Sequence, residues 1–423
     1  DVVNVYDGGE GSSNGDLEAG DTLNLSRLAE KAILDLSSNT LKVNDDANSS
    51  EVYDFNVVVG STFNDEITGN SSAGITDTLR GEAGDDTFYV SNGGDRIIGG
   101  EHVGTEDTYD FSTMNVTAAQ SGAVVVMKDS GDSTATGTGV GSSTFVEIEN
   151  IIGSAGHDTI TGDSNINTIE SGTGDDTIFG SNGKDYLDAG AGANDWLSYN
   201  AVDTGTNKIV VELNNNLIKD NGFADVDLTA LGFEHIYATD HADTLTGNDL
   251  SNSILGRDGA DTIYGQGGVD SIFGGLKADE IYGQDGDDEL YGESDNDTLY
   301  GGNGTDTIYG GAGSDELYGK LTLADANTEA DTLYGGAGVD TVYANDGDVV
   351  NVYDGGEGSS NGDLEAGDKL DLSRISEGVN LDLSLNSDNL QIGTDTNKSN
   401  TYDFNVVQGT SLNDTLRGNH TTT

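Results

Sequence analysis

The sequence predicts an all-β protein: parallel coils of a β-solenoid, interrupted by strand-rich insertions. Three observations carry that expectation. From Ala238 to Tyr318 the chain repeats every nine residues; the core of the run reads GRDGADTIY, GQGGVDSIF, GGLKADEIY, GQDGDDELY, GESDNDTLY, GGNGTDTIY and GGAGSDELY. Glycine supplies 63 of the 423 residues and proline none, which suits repeated tight turns better than a disordered linker. No stretch carries the apolar period of a long amphipathic helix.

Within each nonapeptide the first six residues suit a tight turn and the last three a short strand. By strand alternation the aliphatic at position eight (Ile263, Ile272, Ile281, Leu290, Leu299, Ile308, Leu317) points inward and its neighbours outward. Position nine is Tyr or Phe, and Tyr282, Tyr291, Tyr300, Tyr309 and Tyr318 are expected to form an outward stacking row. Two nonapeptides close one coil, and coils stack in parallel about 4.8 Å apart. A strict repeat of this kind is the mark of a solenoid, in which each unit is stabilised by its neighbours.

Position six is Asp in all seven repeats: Asp261, Asp270, Asp279, Asp288, Asp297, Asp306 and Asp315. A carboxylate that returns at every turn, with nothing basic beside it, predicts a bound cation. The core points the same way. Two aliphatics per coil are a thin offset to the entropy of ordering a glycine-rich backbone. Oxygen donors only, no cysteine and no organised histidines favour Ca²⁺ over Zn²⁺ or copper, and flexible geometry favours it over Mg²⁺.

The charge balance agrees. There are 77 acidic and 16 basic residues, a net charge of −61, so a nucleic-acid footprint is excluded and compaction is opposed unless cations intervene. No apolar run approaches a membrane span. The absence of cysteine excludes disulfides and thiolate chemistry. No signal-peptide pattern stands at Asp1, so the sequence does not show an export route.

A longer repeat lies over the short one. Asp1–Asp21 recurs identically at Asp348–Asp368, and the match continues through YDFNVV at Tyr53 and Tyr402. The chain thus holds one 347-residue unit and the start of another, which suggests part of a longer tandem array. The expected organisation is an acidic loop with a strand-rich insertion over 1–59, roll blocks over 60–110, 153–195 and 238–343, strand-rich insertions over 111–152 and 196–237, and the second copy over 344–423.

These nonapeptides resemble the repeats-in-toxin (RTX) calcium-binding motif. The resemblance implies a parallel β-roll with Ca²⁺ between glycine-rich turns, type I secretion, and folding outside the cell. It extends the expected metal residues to Asp86, Asp95, Asp158, Asp176, Asp185, Asp243, Asp331 and Asp340. Departures are visible. Asn252 and Leu250 replace Asp and Gly in GNDLSNSIL, so no full site is expected there. Lys277 and Asp295 stand at the fourth position, normally glycine, and Leu321–Thr328 reads as a loop bulging from one turn.

Other signals have ordinary explanations. Gly11–Gly15 matches G-x-S-x-G but lies in a polar loop, so no enzyme is expected. The acidic residues Asp7, Glu10, Asp16, Glu18 and Asp21 suit either a further Ca²⁺ site or a solvated loop. His157 and His241 read as turn residues, and Trp196 as packing between roll and insertion.

The functional expectation is a calcium-stabilised extracellular scaffold on the bacterial surface, self-associating through Ca²⁺ as an S-layer or matrix filament. The stalk of a giant RTX adhesin and the calcium-folded carrier region of an RTX enzyme or toxin are the alternatives. A polysaccharide or lipopolysaccharide surface is a further candidate partner, with the exposed tyrosines as its contact.

Overall fold

The computed structural model describes residues 5–7, 21–44, 49–53, 55–71, 75–100, 106–138, 140–200, 208–221, 228–320, 330–344, 352–356, 368–375, 379–382, 390–392, 400–402, 404 and 406–417. Among these the regular structure is β-strand, apart from one 3-10 turn at Leu213–Asn215. The chain divides into two compact units, Asp1–Ala201 with Asp225–Phe233, and Val202–Ala224 with Glu234–Thr423.

The second unit holds the long nonapeptide block as a parallel β-roll. One sheet runs through Thr244–Thr246, Thr262–Gly267, Glu280–Asp285, Thr298–Asn303, Glu316–Tyr318, Thr341–Tyr343 and Lys369–Asp371. The facing sheet runs through Ser253–Asp258, Ser271–Leu276, Glu289–Ser294, Thr307–Gly313, Thr332–Gly338 and Val352–Asp354. Ile263 lies opposite Ile281, and Ile272 opposite Leu290, so alternate nonapeptides fall on alternate sheets. After Thr307 the step from one coil to the next lengthens, with Thr332 as partner, yet Ile308 still meets Leu333 and Tyr309 meets Tyr334. The expected loop Leu321–Thr328 lies outside the described residues, and the register resumes beyond it.

Position eight forms the core. Ile263, Ile272, Ile281, Leu290, Leu299, Ile308, Leu317, Leu333 and Val342 have no exposed surface. The position-nine aromatics make two stacks rather than the single row expected from sequence. Tyr264, Tyr282, Tyr300, Tyr318 and Tyr343 stack with ring centroids 4.2–4.9 Å apart. Phe273, Tyr291, Tyr309 and Tyr334 stack at 4.7–5.0 Å. The division follows from the two-strand coil, and the ring spacing is the strand spacing itself.

In the first unit one parallel sheet joins Glu66–Thr68, Thr87–Tyr89, Thr108–Asp110, Asn150–Ile152, Thr168–Glu170, Tyr186–Asp188 and Leu228–Leu231. The segment 111–152 contributes an antiparallel meander, Ser121–Val126, Ser133–Gly137 and Gly141–Val146. Its outer strands pair in parallel with His157–Thr161 and Arg96–Gly100, so the meander is spliced into a sheet and not hung outside it.

Hairpins recur before the blocks. Ala32–Asp35 pairs antiparallel with Thr40–Val43 and parallel with Glu66–Thr68. In the second unit Ile209–Glu212 pairs with Leu217–Asn221 and with Thr244–Thr246. Val379–Asp382 does the same with Leu390–Ile392 and Thr415–Arg417.

The tandem copy docks as its original does. Val5–Asp7 lies beside Ser50–Tyr53, and Val352–Asp354 beside Asn400–Tyr402. Val352–Asp354 and Lys369–Asp371 also pair with the last strands of the long block, so the second copy begins by adding a coil.

Truncating the inner row should be costly. Leu299→Ala is expected to lower the unfolding free energy of the calcium-loaded chain by about 2–5 kcal/mol, read from denaturant unfolding. An unchanged midpoint would show that the aliphatic row does not hold the coils.

Candidate metal centre

The position-six carboxylates lie inside the roll. Asp261, Asp270, Asp279, Asp288, Asp297, Asp306, Asp315, Asp331 and Asp340 are all buried, none more than 3% exposed. Each Oδ1 accepts the backbone N–H of the equivalent residue one coil earlier. One ladder runs Asp243 to Asp261, Asp261 to Asp279, Asp279 to Asp297, Asp297 to Asp315 and Asp315 to Asp340, with N···O distances of 2.7–2.9 Å. The other runs Asn252 to Asp270, Asp270 to Asp288, Asp288 to Asp306 and Asp306 to Asp331, at 2.8–3.1 Å. Asp288 and Asp306 therefore share one side of the roll.

The second oxygen is the anomaly. Oδ2 of Asp261, Asp270, Asp279, Asp288, Asp297, Asp306, Asp315 and Asp340 is buried and makes no hydrogen bond. A buried acceptor without a donor is costly, and a buried charge more so. Burial accordingly pushes these carboxyls up, against the one backbone hydrogen bond that each accepts. Asp288 and Asp315 rise to about 6, and Asp261, Asp270, Asp297 and Asp340 to about 7. Asp279 reaches about 8 and Asp306 about 9, with ladder neighbours adding like-charge repulsion after burial.

The glycine at position one faces this oxygen. A Cβ on Gly283 would lie 2.4 Å from Asp288 Oδ2 and 2.7 Å from the Gly301 carbonyl oxygen of the next coil. On Gly292 it would meet Asp297 Oδ2 and the Gly310 carbonyl oxygen, both at 2.5 Å. Each turn is thus an oxygen-lined cradle that only glycine leaves open. Among the described residues no three His, Cys, Asp or Glu side chains converge on one point. A cation here would therefore be held by a ladder carboxylate together with backbone carbonyls, a hard-oxygen set that fits Ca²⁺.

The remaining sequence-predicted residues divide. Asp86 and Asp176 stand in ladder positions, accepting from Asp65 and Asp158 at 2.7 Å. Asp95, Asp158, Asp185 and Asp243 differ, because a hydroxyl reaches Oδ2: Ser91 at 2.5 Å, Ser154 at 3.1 Å, Ser181 at 2.9 Å and Thr239 at 2.7 Å. Asn252 is buried and self-sufficient: Oδ1 accepts from Asn248 N at 2.7 Å, and Nδ2 donates to the Glu234 carbonyl at 2.7 Å. Lys277 and Asp295 take the left-handed backbone that glycine was expected to supply, with φ of 86° and 77°.

Sequence reasoning passed over Asp65, Asp107, Asp195 and Asp368 as ladder members. Asp65 N bonds to Asp86, while Asp107, Asp195 and Asp368 accept from Asp86, Asp176 and Asp340. Their signal was present as an Asp two residues before an inward side chain, Ile67, Tyr109, Leu197 and Leu370. Trp196 is half-buried in the strand Trp196–Ser198, opposite Thr177. His157 accepts from Asp175 N at 2.7 Å, as a turn residue. Glu10, Asp16, Glu18 and the Gly11–Gly15 motif lie outside the described residues.

An acidic parallel β-roll with oxygen-lined glycine turns defines a class of calcium-binding solenoid. The chain matches the family described as RTX calcium-binding nonapeptide repeat (4 copies), over residues 74–101, 147–165, 161–195, 237–272, 264–299, 291–321 and 324–350. The blocks are RTX repeats, and the protein binds multiple Ca²⁺ ions. Such repeats are typical of secreted proteins, and among the described residues no helix is long and apolar enough to cross a membrane. Comparison with curated proteins gives no match. Among solved structures, extracellular lipase LipA from Serratia marcescens aligns at 14% identity over 82% of this chain and 37% of that one, with a TM-score of 0.18. The chain thus spans little more than a third of that protein, and so low a score carries no argument about architecture.

The raised carboxyls set a pH dependence. Their folded-state values exceed the unfolded value of about 4, so the calcium-free fold binds more protons than the unfolded chain. Its stability is fullest below about pH 4 and is lost as pH rises through about 6 to 9. In chelator, acidification from about pH 8 to about pH 5 should raise the β signal in circular dichroism, imitating calcium. A signal that falls on acidification would contradict the buried-carboxylate account.

Proposed function

We propose that this chain is a calcium-stabilised extracellular structural scaffold, assembling on the bacterial surface as an S-layer or matrix filament. The observation that carries this reading is the continuation of the long block into the second copy, coil upon coil, through Tyr334 opposite Asp354 and Tyr343 opposite Asp371. Tandem units joined this way carry strand stacking from one unit into the next, which suits a load-bearing array. The proposed ligands are Asp86, Asp95, Asp158, Asp176, Asp185, Asp243, Asp261, Asp270, Asp279, Asp288, Asp297, Asp306, Asp315, Asp331 and Asp340, with turn carbonyls beside them. Calcium supplies the positive charge that lets these carboxylates stay ionised inside the roll. The chain's residues orient the oxygens and exclude side chains from the cradle.

One divalent ion at each of these carboxylates still leaves a chain of net charge −61 acidic, so assembled surfaces need further bridging ions. Folding is expected to saturate at lower Ca²⁺ than assembly, with monovalent salt unable to replace Ca²⁺ in the second step. Light scattering and circular dichroism followed in one titration read both. Chains that fold yet stay monomeric at every calcium and protein concentration would favour the adhesin stalk.

Phase should matter more than bulk charge. Asp288→Ala is expected to raise the calcium needed for folding several-fold. Asp163→Ala should leave it unchanged, since Asp163 stands off position six and binds its own turn through Asn165 N at 2.9 Å. Equal shifts in the folding midpoint would show that position in the repeat is irrelevant.

A further inference from the structure

Two kinds of turn are built on the same Asp. In the long block position two takes the left-handed backbone, with φ of 80° at Arg257, 82° at Gln266, 80° at Gln284 and 75° at Glu293. The preceding strand then runs on through the turn, as in Thr262–Gly267 and Glu280–Asp285, and the Asp Oδ2 is left without a donor. Where position two is Ser or Thr the strand stops short, at Val57–Val59, Asn150–Ile152 and His235–Tyr237. The backbone there leaves the left-handed region, and its N–H turns onto Oδ2: Ser61 N to Asp65 at 2.5 Å, Ser154 N to Asp158 at 2.7 Å, Thr239 N to Asp243 at 3.0 Å. The hydroxyls close the same carboxylates, Ser61 on Asp65 at 2.8 Å and Thr239 on Asp243 at 2.7 Å.

Ser91 and Ser181, also at position two, put a hydroxyl on Oδ2 of Asp95 and Asp185 inside the blocks, at 2.5 and 2.9 Å, and the sealed turns that open the blocks share a second feature. Asp65, Asp158 and Asp243 are each the first position-six Asp after a strand-rich insertion, and each holds that insertion. Oδ1 of Asp65 accepts from Ala32 N at 2.6 Å, that of Asp158 from Ala123 N, and that of Asp243 from Ile209 N at 2.7 Å. The second copy repeats the device, with Asp414 taking Val379 N at 3.1 Å and Thr410 N at 2.7 Å. At Asp65, Asp158 and Asp243 both oxygens of a buried carboxylate are then satisfied by the chain itself.

We infer that position two decides whether a nonapeptide turn takes calcium, and that the hydroxyl-sealed turns opening each block are metal-free seams. This rests on the reading that calcium occupies the long block, and it removes Asp95, Asp158, Asp185 and Asp243 from the ligand set. The physical reason is donor competition. An Oδ2 that already accepts an amide and a hydroxyl has little to gain from a cation, whereas one with no donor has everything to gain. Asn167 and Asn252 occupy equivalent turns without a charge, each with Oδ1 accepting a position-two N–H, at 2.9 and 2.7 Å.

Bound calcium can be counted on the full chain by equilibrium dialysis, with circular dichroism confirming the fold. Asp288→Asn should lose at least one ion, and Asp243→Asn none. Gln266→Ser, which supplies a seal to Asp270, should also lose one. If Asp243→Asn costs as many ions as Asp288→Asn, or if Gln266→Ser keeps the parent number, the seam assignment is overturned while the calcium-scaffold reading stands. If the parent chain binds no calcium, the underlying reading fails instead.

Discussion

The fold depends on one repeated interaction, the hydrogen bond from a backbone amide to the Asp Oδ1 of the next coil. It ties each turn to its neighbour where the sheet ladder gives out. It also drags a carboxylate into the interior, since Asp261 through Asp340 can make that bond only from beneath the turn. Everything unusual about the chain follows from that placement. Position one is glycine because Oδ2 fills the space of a Cβ. The carboxyls rise far above their ordinary range because burial outweighs one amide donor. Folding and cation binding are coupled because the roll is the only state that gathers these oxygens.

The insertions obey the same constraint. A hairpin strand such as Ile209–Glu212 reaches a roll by pairing with the first strand of the block and giving its leading amide to the first Asp. That one rule serves Ala32, Ile209 and Val379, and Ala123, the third residue of its strand, gives its amide to Asp158 in the same way. A solenoid accepts such splices because each coil is stabilised only by its neighbours, so an insertion need satisfy only the two edges that it meets.

Much of this was legible in the residues. The nine-residue period, the inward aliphatics and the phased Asp named the roll and its coil length, because periodicity of that strictness admits few geometries. The pairing of Asp288 with Asp306 followed from counting alone. The two aromatic stacks were read as one row, since the sheet on which a tyrosine falls depends on coil parity and not on its own identity. The orphaned Oδ2 atoms were not legible. Whether a carboxylate faces solvent or an interior depends on the backbone of position two, where Gln266 and Thr239 look equally polar on paper yet adopt opposite turns.

The asparagines show that a turn can close without the charge. Asn167 and Asn252 occupy ladder positions, send their amides to Asp185 and Asp270, and accept a turn N–H with Oδ1. Their Nδ2 atoms donate to carbonyls one coil back, at 3.0 and 2.7 Å, so the coil closes with no buried charge. At these two positions the turn closes with no charge to neutralise, with Oδ1 given to the turn's own amide. Aspartate at Asp261, Asp270, Asp279, Asp288, Asp297, Asp306, Asp315 and Asp340 does the reverse, since it leaves an oxygen unmet and destabilises the calcium-free roll at neutral pH. What it adds is dependence on a cation. Stability is surrendered in the calcium-free state and regained in the loaded one, so the long block is built to fold on a condition, and the seams beside it are not.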